Sequence, residues 1–391
     1  MIESKSPFRG QGYYDFIFLG AGCATLSIVM RMIKSGKFAD KKILLIDKEP
    51  KSKNDRTWCF WEKENGFFEN IVYKKWGKLS FLSEEYSNTM DISPYQYKMI
   101  RGGDFYNYCF SEITKYPNIE IFYGKVNSIS FKKDQATIEL DDREYVFDGA
   151  IIFNSIFYEG INRTSGSTID LLQHFKGWMI ETPSAAFDPT IATFMDFRID
   201  QKRGTTFAYV LPLSETKALV EYTLFTKSIL KEEEYKSELK NYLTNFLKLD
   251  KYKITEEEFG VILMTTRKFD FYRGDAYNIG SAGGQTKASS GYTFQFIQKQ
   301  AEAIIWSLIE KGDLLEAITT SSRFHFYDKV LLDVLDNKRV SGKQVFTTLF
   351  KKNKSQQVLK FLDNESSSSE ELQIISTLPI LPFLRAAFNQ L

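Results

Sequence analysis

Apart from Asp15, the stretch Tyr14 to Leu19 is continuously apolar, the pattern of a short strand buried on both faces. A glycine turn follows, then an amphipathic run to about Ser35 with helical spacing, then a second apolar run, Lys42 to Ile46, that ends at Asp47. This predicts a βαβ unit. "NDRTWCFW", with Arg56 and Trp58, reads as a loop, and "MIRGGDFYNYCFSEI" as a loop running into a helix. From Ile119 to Ile152, short alternating runs predict β-structure that returns to a parallel sheet. Gly177 to Phe225 is strand-rich, with "SETK" as a hairpin turn after Pro212, and Leu230 to Leu249 predicts a charged helix. "AYNIGSAGGQTKASSGYTFQF" is a further strand, glycine-rich loop and helix start. The tail from Asp313 is mostly helical, broken by the serine-rich "NESSSSEE".

The alternation contains one anomaly. "ALVEYTLF" puts Ala218, Val220, Tyr222 and Leu224 on one face, and Leu219, Glu221, Thr223 and Phe225 on the other. Glu221 thus shares its side with two large apolar groups. In an arbitrary strand such a residue faces water; the rest of the chain has to decide.

The glycines lie where the first strand hands over to the helix, as dinucleotide binding requires. Gly20 allows the tight turn, and Gly22 lets backbone approach a pyrophosphate at the helix N-terminus. Ala21, Cys23 and Ala24 complete that turn, and Asp47, followed by Lys48, is placed to accept hydrogen bonds from a ribose. Thr25 stands where a third glycine is expected. Arg101 is either a surface ion-pair partner or a contact to cofactor phosphate or ribose.

Composition removes several function classes. Lysine plus arginine (51) nearly balances aspartate plus glutamate (50), so no net field gathers nucleic acid. Cys23, Cys59 and Cys109 are widely spaced and odd in number, which fits a reducing, cytoplasmic setting and offers neither a disulfide framework nor a zinc pattern. The two histidines, His174 and His325, have no second ligand nearby in sequence, so no metal is expected. The N-terminal charges from Glu3 to Arg9 and the lack of a long apolar run argue against a membrane span. With 34 Phe and 21 Tyr, the chain is rich in aromatic surface for a large apolar cavity.

Several ordered stretches carry a resemblance: "FLGAGCATLS", "NDRTWCFW", "PYQYKMIRGGDFY", "IETPSAAFDPTIATFMDF", "YVLPLSETKALVEYTLF", "GSAGGQTKASSGYTF" and "FLDNESSSSEELQIISTLP". The chain resembles the flavin-dependent lycopene β-cyclases, particularly the bacterial type, over almost its whole length. It departs from them at Thr25 and at Leu263 of "GVILMTT", where the family commonly has proline. The resemblance implies an α/β fold: a Rossmann-like FAD-binding domain of the aromatic hydroxylase and geranylgeranyl reductase type, an inserted β-rich substrate domain and a helical C-terminal region. The expected division is 1–80, 96–170 and 262–318 for the FAD-binding domain, 81–95 and 171–261 for the substrate domain, and 319–391 for the helical region.

It also implies FAD, active when reduced, with NAD(P)H as external reductant, and lycopene or related acyclic carotenoids as substrate. Glu221 of "LVEYT" is the acid carried over. Asp196 and Asp188 are secondary candidates, against a structural ion pair for the first and a turn cap beside Pro189 for the second. Arg56, Arg101, Gly280, Ala282, Gly283, Gly284 and Thr286 join the cofactor-binding set. A carboxyl in a dry, apolar site has its pKa raised by desolvation and can act as a general acid near neutral pH.

A redox flavoprotein of the same fold is the main alternative, but such enzymes usually present "GDA" where this chain has Gly280, Ser281 and Ala282, and "ADG" where it has Phe153 to Ser155. A carotenoid carrier would need no acid at 221. A water-insoluble substrate also predicts peripheral attachment to the inner face of the cell membrane. The expected docking face is a stripe of Val345, Phe346, Leu349 and Phe350 beside Lys351, Lys352 and Lys354, with "LPILPFLRAAF" as a second part.

Overall fold

A computed structural model describes residues 13–133, 135–156, 168–312, 314 and 321–391; the charged stretch Glu3 to Arg9 lies outside them. The βαβ unit forms as expected: strand Phe16–Leu19, helix Cys23–Ser35 and strand Ile43–Asp47, with both strands buried throughout. They pair in parallel, Phe16 beside Ile43 and Leu19 beside Ile46. Their sheet has six strands in the order Tyr272–Arg273, Ala276–Asn278, Ile151–Asn154, Phe16–Leu19, Ile43–Asp47, Ile119–Tyr123. Helices Cys23–Ser35 and Phe294–Glu310 share one apolar core with it, in which Leu26, Val29, Ile297 and Ile304 are buried.

Of the strands expected between 119 and 152, only Ile119–Tyr123 and Ile151–Asn154 join this sheet. Val126–Lys132, Gln135–Leu140 and Arg143–Asp148 form an antiparallel meander of their own, because their alternation buries one face only (Ala136, Ile138, Leu140, Phe147). "NDRTWCFW" also departs from expectation. Thr57–Glu62 is a strand, paired antiparallel with Gln96–Arg101, and the latter runs directly into helix Gly102–Ile113.

The second sheet has seven strands in the order Lys253–Thr265, Asp170–Glu181, Lys217–Thr226, Thr205–Pro212, Ile191–Asp196, Lys78–Leu82, Ser87–Asp91. It is antiparallel except where Ile191–Asp196 pairs with Lys78–Leu82. The hairpin at "SETK" closes with the Leu213 N–H donating to the Lys217 carbonyl at 2.8 Å. On one face Val220, Tyr222 and Leu224 pack against Tyr235, Leu239, Tyr242 and Leu243 of helix Glu232–Asn245. On the other, Leu219, Phe225, Phe207 and Tyr209 join a core that includes Phe346 and Phe350. Both faces of the Glu221 strand are therefore covered, and its acid side looks inward.

The C-terminal region comprises helices Ser322–Asp336, Gly342–Lys352, Ser355–Leu362, Ser368–Thr377 and Ile380–Gln390. Its serine run is a helix start: the Ser367 hydroxyl accepts from the Glu370 N–H, and the Glu370 carboxylate accepts from the Ser367 N–H, in a capping box. The stripe expected to meet lipid is buried. Phe350 stacks on Phe81 with ring centroids 4.9 Å apart, Phe346 on Phe197 at 5.8 Å, and Val345 and Leu349 are enclosed with them. Helix Gly342–Lys352 is thus a core helix with a solvated basic end, not a lipid-facing one. Among the described residues no helix is long and apolar enough to cross a membrane.

Candidate active site

Between the seven-stranded sheet and the glycine-rich turn Gly280–Gly284 lies a cavity of about 1180 Å³. Glu221 is in its wall, with Tyr97, Tyr209 and Tyr292, Phe175 and Cys59 nearby. The phenols are close packed: Tyr97 and Tyr292 hydroxyls are 3.2 Å apart, and the Tyr292 ring stacks parallel to Phe194 and meets Trp61 edge-on at 4.6 Å. Burial raises Tyr97, Tyr209 and Tyr292 far above the ordinary phenol range, so all three stay neutral. The wall near Glu221 is thus apolar and π-rich, an environment that lowers the energy of a carbocation through ring quadrupoles.

The acid has a partner. In the strand Asp170–Glu181, Gly177 is in register with Glu221 on one side and with Glu258 on the other. A Cβ at position 177 would stand 3.1 Å from Glu221 Cγ and 2.9 Å from Glu258 Cγ. The absent side chain is what lets two glutamates approach over one backbone position. The Thr57 hydroxyl donates to Glu258 Oε2 at 2.8 Å, and Glu258 Oε1 is buried with no protein donor among the described residues. Burial first, then hydrogen bonding with and repulsion by Glu258, hold the Glu221 carboxyl well above the ordinary carboxylate range. The carboxyl in the wall of this aromatic cavity thus favours its protonated form more than an ordinary glutamate does.

The secondary acids are elsewhere. Asp196 is buried on the far side of the sheet from the cavity, where both its oxygens accept from Arg198 (2.9 and 2.6 Å) and one accepts from the Tyr242 hydroxyl at 2.8 Å. Asp188 is exposed and accepts from the Thr190 N–H and hydroxyl, which lower its pKa. Neither lines the cavity.

The expected cofactor residues divide into two groups. Arg56, Gly283, Gly284 and Thr286 line the same cavity as Glu221. Gly283 and Gly284 are required by geometry: a Cβ on the first would meet the Asn278 carbonyl at 2.2 Å, and the second has φ +74°. Thr286 bonds the Thr293 hydroxyl at 3.1 Å, and Arg56 pairs with Asp55 at 2.8 Å. Gln173 Oε1, Ser290 Oγ, Arg267 Nε and His325 Nε2 are buried in residues of this wall without a protein partner among the described residues, a polar provision that a bare hydrocarbon would not use.

Gly20, Ala21, Gly22, Cys23, Ala24 and Asp47 lie together at the carboxyl ends of the two central strands. Gly20 has φ +86°, and Gly22 caps helix Cys23–Ser35 with no side-chain bond to its first N–H groups and no atom within 4 Å of an added Cβ. That open, uncapped helix start suits a pyrophosphate. Asp47 accepts from the Ala21 N–H at 2.7 Å and from Lys51 at 2.9 Å. Burial pushes the Cys23 thiol up to about 12, which keeps it unreactive. The missing third glycine has a physical account: the Thr25 hydroxyl donates to the Gly20 carbonyl at 2.5 Å, while the close approach falls to Ala24, whose Cβ is 2.8 Å from where a Cβ on Gly280 would be.

Lys48 is exposed beside Glu49, Ala282 sits in the turn between Gly280 and Gly283, and Arg101 is tied to Asp104 by two bonds and lies 4.2 Å under the Tyr73 ring, away from the cavity. Taken together, the residues present fit an ADP-containing flavin nucleotide.

Sequence reasoning missed Glu258, Thr57 and the three tyrosines. The available signal was Gly177 inside a strand pattern, which marks a close approach.

Solved structures with the same architecture include a geranylgeranyl bacteriochlorophyll reductase-like protein from Thermoplasma acidophilum (13% identity, TM-score 0.58, 96% of this chain and 95% of that one). A flavoprotein/dehydrogenase from Cytophaga hutchinsonii matches at 12% identity and TM-score 0.64, over 97% and 99% of the two chains. At these identities the likeness is one of fold, and the fold is the α/β flavoprotein type expected. A lycopene beta-cyclase from Pantoea ananas is 26% identical over 223 residues, 54% of this chain; the match spans about half (52%) of that relative's length. The family described as Lycopene cyclase protein matches residues 15–388. With a match that runs from residue 15 to residue 388, and an aromatic cavity with a buried carboxyl in its wall, the chain belongs to the lycopene cyclase family.

Proposed function

We propose that the protein is a lycopene β-cyclase, an isomerase that closes the acyclic ends of lycopene into β-rings without net oxidation. The observation that carries this reading is Glu221, a carboxyl in the wall of an aromatic cavity whose burial and neighbour Glu258 favour its protonated form. Its proton passes to the terminal double bond, the neighbouring double bond closes a six-membered ring on the tertiary cation, and loss of a ring proton gives the cyclic alkene. Tyr97, Tyr209 and Tyr292 present π-faces to the cation and exclude water from it. Gly20, Gly22, Gly283, Gly284 and Thr286 would hold FAD, which when reduced by NAD(P)H would supply negative charge that stabilises the cation, with no net electron transfer.

Purified protein with reduced FAD should convert lycopene to γ-carotene and β-carotene. Glu221→Gln should keep FAD content and lower turnover by at least about a hundredfold, the lower range of a general-acid contribution. Near-parental turnover in that variant would move the acid role elsewhere.

The substrate also supports a peripheral position on the inner face of the cell membrane. The terminal helix Ile380–Gln390 leaves Ile380, Leu381, Leu384 and Phe388 exposed at 64, 71, 51 and 76%. Its other face packs against helix Ser322–Asp336, whose His325, Phe326 and Lys329 line the cavity.

A further inference from the structure

We propose that Glu258 is a positioning residue for the acid: its carboxyl, set against that of Glu221 across Gly177, holds one proton jointly with it and keeps Glu221 in its acid form. The inference rests on the cyclase reading for its kinetics and on geometry for its existence.

Three observations carry it. Gly177 is in register with both glutamates, and its missing side chain leaves the space in which they meet. One Glu258 oxygen accepts from the Thr57 hydroxyl at 2.8 Å, while the other is buried without a donor among the described residues. A buried carboxylate oxygen left unpaired is costly, and a proton on the neighbouring Glu221 carboxyl would satisfy it. Among the described residues neither glutamate is ion-paired: Lys176 is on the opposite face of the sheet, bonded to Glu257 at 2.7 Å. The groups facing the pair from adjoining strands are Thr57, Cys59, Tyr97 and Tyr209. Of the other cations in the cavity wall, Arg56, Arg267 and Lys287 are bound to Asp55, Asp170 and Asp328, and Lys268 and Lys329 also line it.

Repulsion between two carboxylates so placed favours a proton on Glu221 at rest. When Glu221 gives its proton to the alkene carbon, the pair becomes doubly anionic beside the newly formed cation. The ring proton lost on forming the new double bond returns to the Glu221 carboxylate, restoring one proton on the pair with no electron transferred. Glu258 does not line the cavity and acts through Glu221.

The test is the pH dependence of cyclisation in Glu258→Gln. Loss of the second carboxylate removes the repulsion that keeps Glu221 protonated, so the basic limb of the rate profile should move down by about one unit or more. That is a tenfold or greater loss above the parental limb, recovered on acidification. Glu258→Asp, which withdraws the carboxyl by one methylene, should shift the limb less and in the same direction. A separate readout needs no turnover: infrared spectra of the resting protein at pH 7 should show a protonated carboxyl band that is lost in Glu221→Gln and weakened in Glu258→Gln. A rate lowered equally at every pH, or an unchanged band in Glu258→Gln, would overturn the proposal. Failure of the parent to cyclise lycopene would overturn the cyclase reading while leaving the infrared result to decide the pair.

Discussion

At position 177 the functional property is the lack of a side chain. Glycine inside a twelve-residue strand costs conformational entropy and packing, and here it clears the space in which Glu221 and Glu258 come together. Gly177→Ala should push the two carboxyls apart. We expect a loss of stability of about 1–3 kcal/mol from overpacking, and a fall in cyclisation far larger than this loss of folded protein explains. Denaturant unfolding beside single-turnover rates would separate the two, and parental turnover in a folded Gly177→Ala protein would show that the close approach is dispensable. The legibility of these residues follows from their surroundings. Glu221 stood out because one charge interrupts an otherwise apolar alternation, but its reading as the acid came from the resemblance of "LVEYT". Glu258 was hidden at the end of "EEE", where Glu256 and Glu257 are exposed and the run reads as solvated surface. Asp196 and Glu221 look alike in sequence, each an acid in a strand, and only the tertiary neighbours distinguish them: Arg198 and Tyr242 occupy the oxygens of the first.

Elements were legible where periodicity and caps agreed, as in helix Cys23–Ser35, which ends at Gly36 with φ +66°. Strand Lys253–Thr265 escaped notice because its outer half is a charged sheet edge, and its only partner strand, Asp170–Glu181, is distant in sequence. The apolar stripe of helix Gly342–Lys352 was real, but a core-facing helix and a lipid-facing one have the same amphipathic pattern. What decides is whether another layer covers the stripe; Phe81, Phe197 and Phe225 do. The terminal helix keeps its apolar face uncovered, so the membrane expectation transfers to it. Leu381→Asp with Phe388→Asp should abolish flotation with anionic liposomes while FAD binding persists, because two charges on that face oppose burial in the headgroup layer. Substituting Lys351, Lys352 and Lys354 by Glu should weaken flotation only at low salt. Unaltered flotation of the Asp double variant would exclude this helix as the docking element.

On the scale of the whole molecule, a parallel sheet with a glycine turn and an antiparallel sheet with an acid face enclose one cavity between turn Gly280–Gly284 and strand Lys217–Thr226. The first sheet was readable because its strands are short, apolar and punctuated by glycine. The second was readable only in part, since its edge order depends on pairings across more than a hundred residues. Among the described residues Glu221 is the only glutamate in the cavity wall, and that count has a consequence for a substrate with two identical ends. On the proposed cyclase reading, each visit closes one ring, and the long molecule must withdraw and reverse before the other end reaches the same acid. Catalysis is then distributive: the product with one ring should rise first and decline, the product with two rings should appear after a lag, and diluting lycopene in excess lipid should lengthen that lag. A time course in which both rings appear from the first turnover would show instead that the chain turns its substrate without letting go.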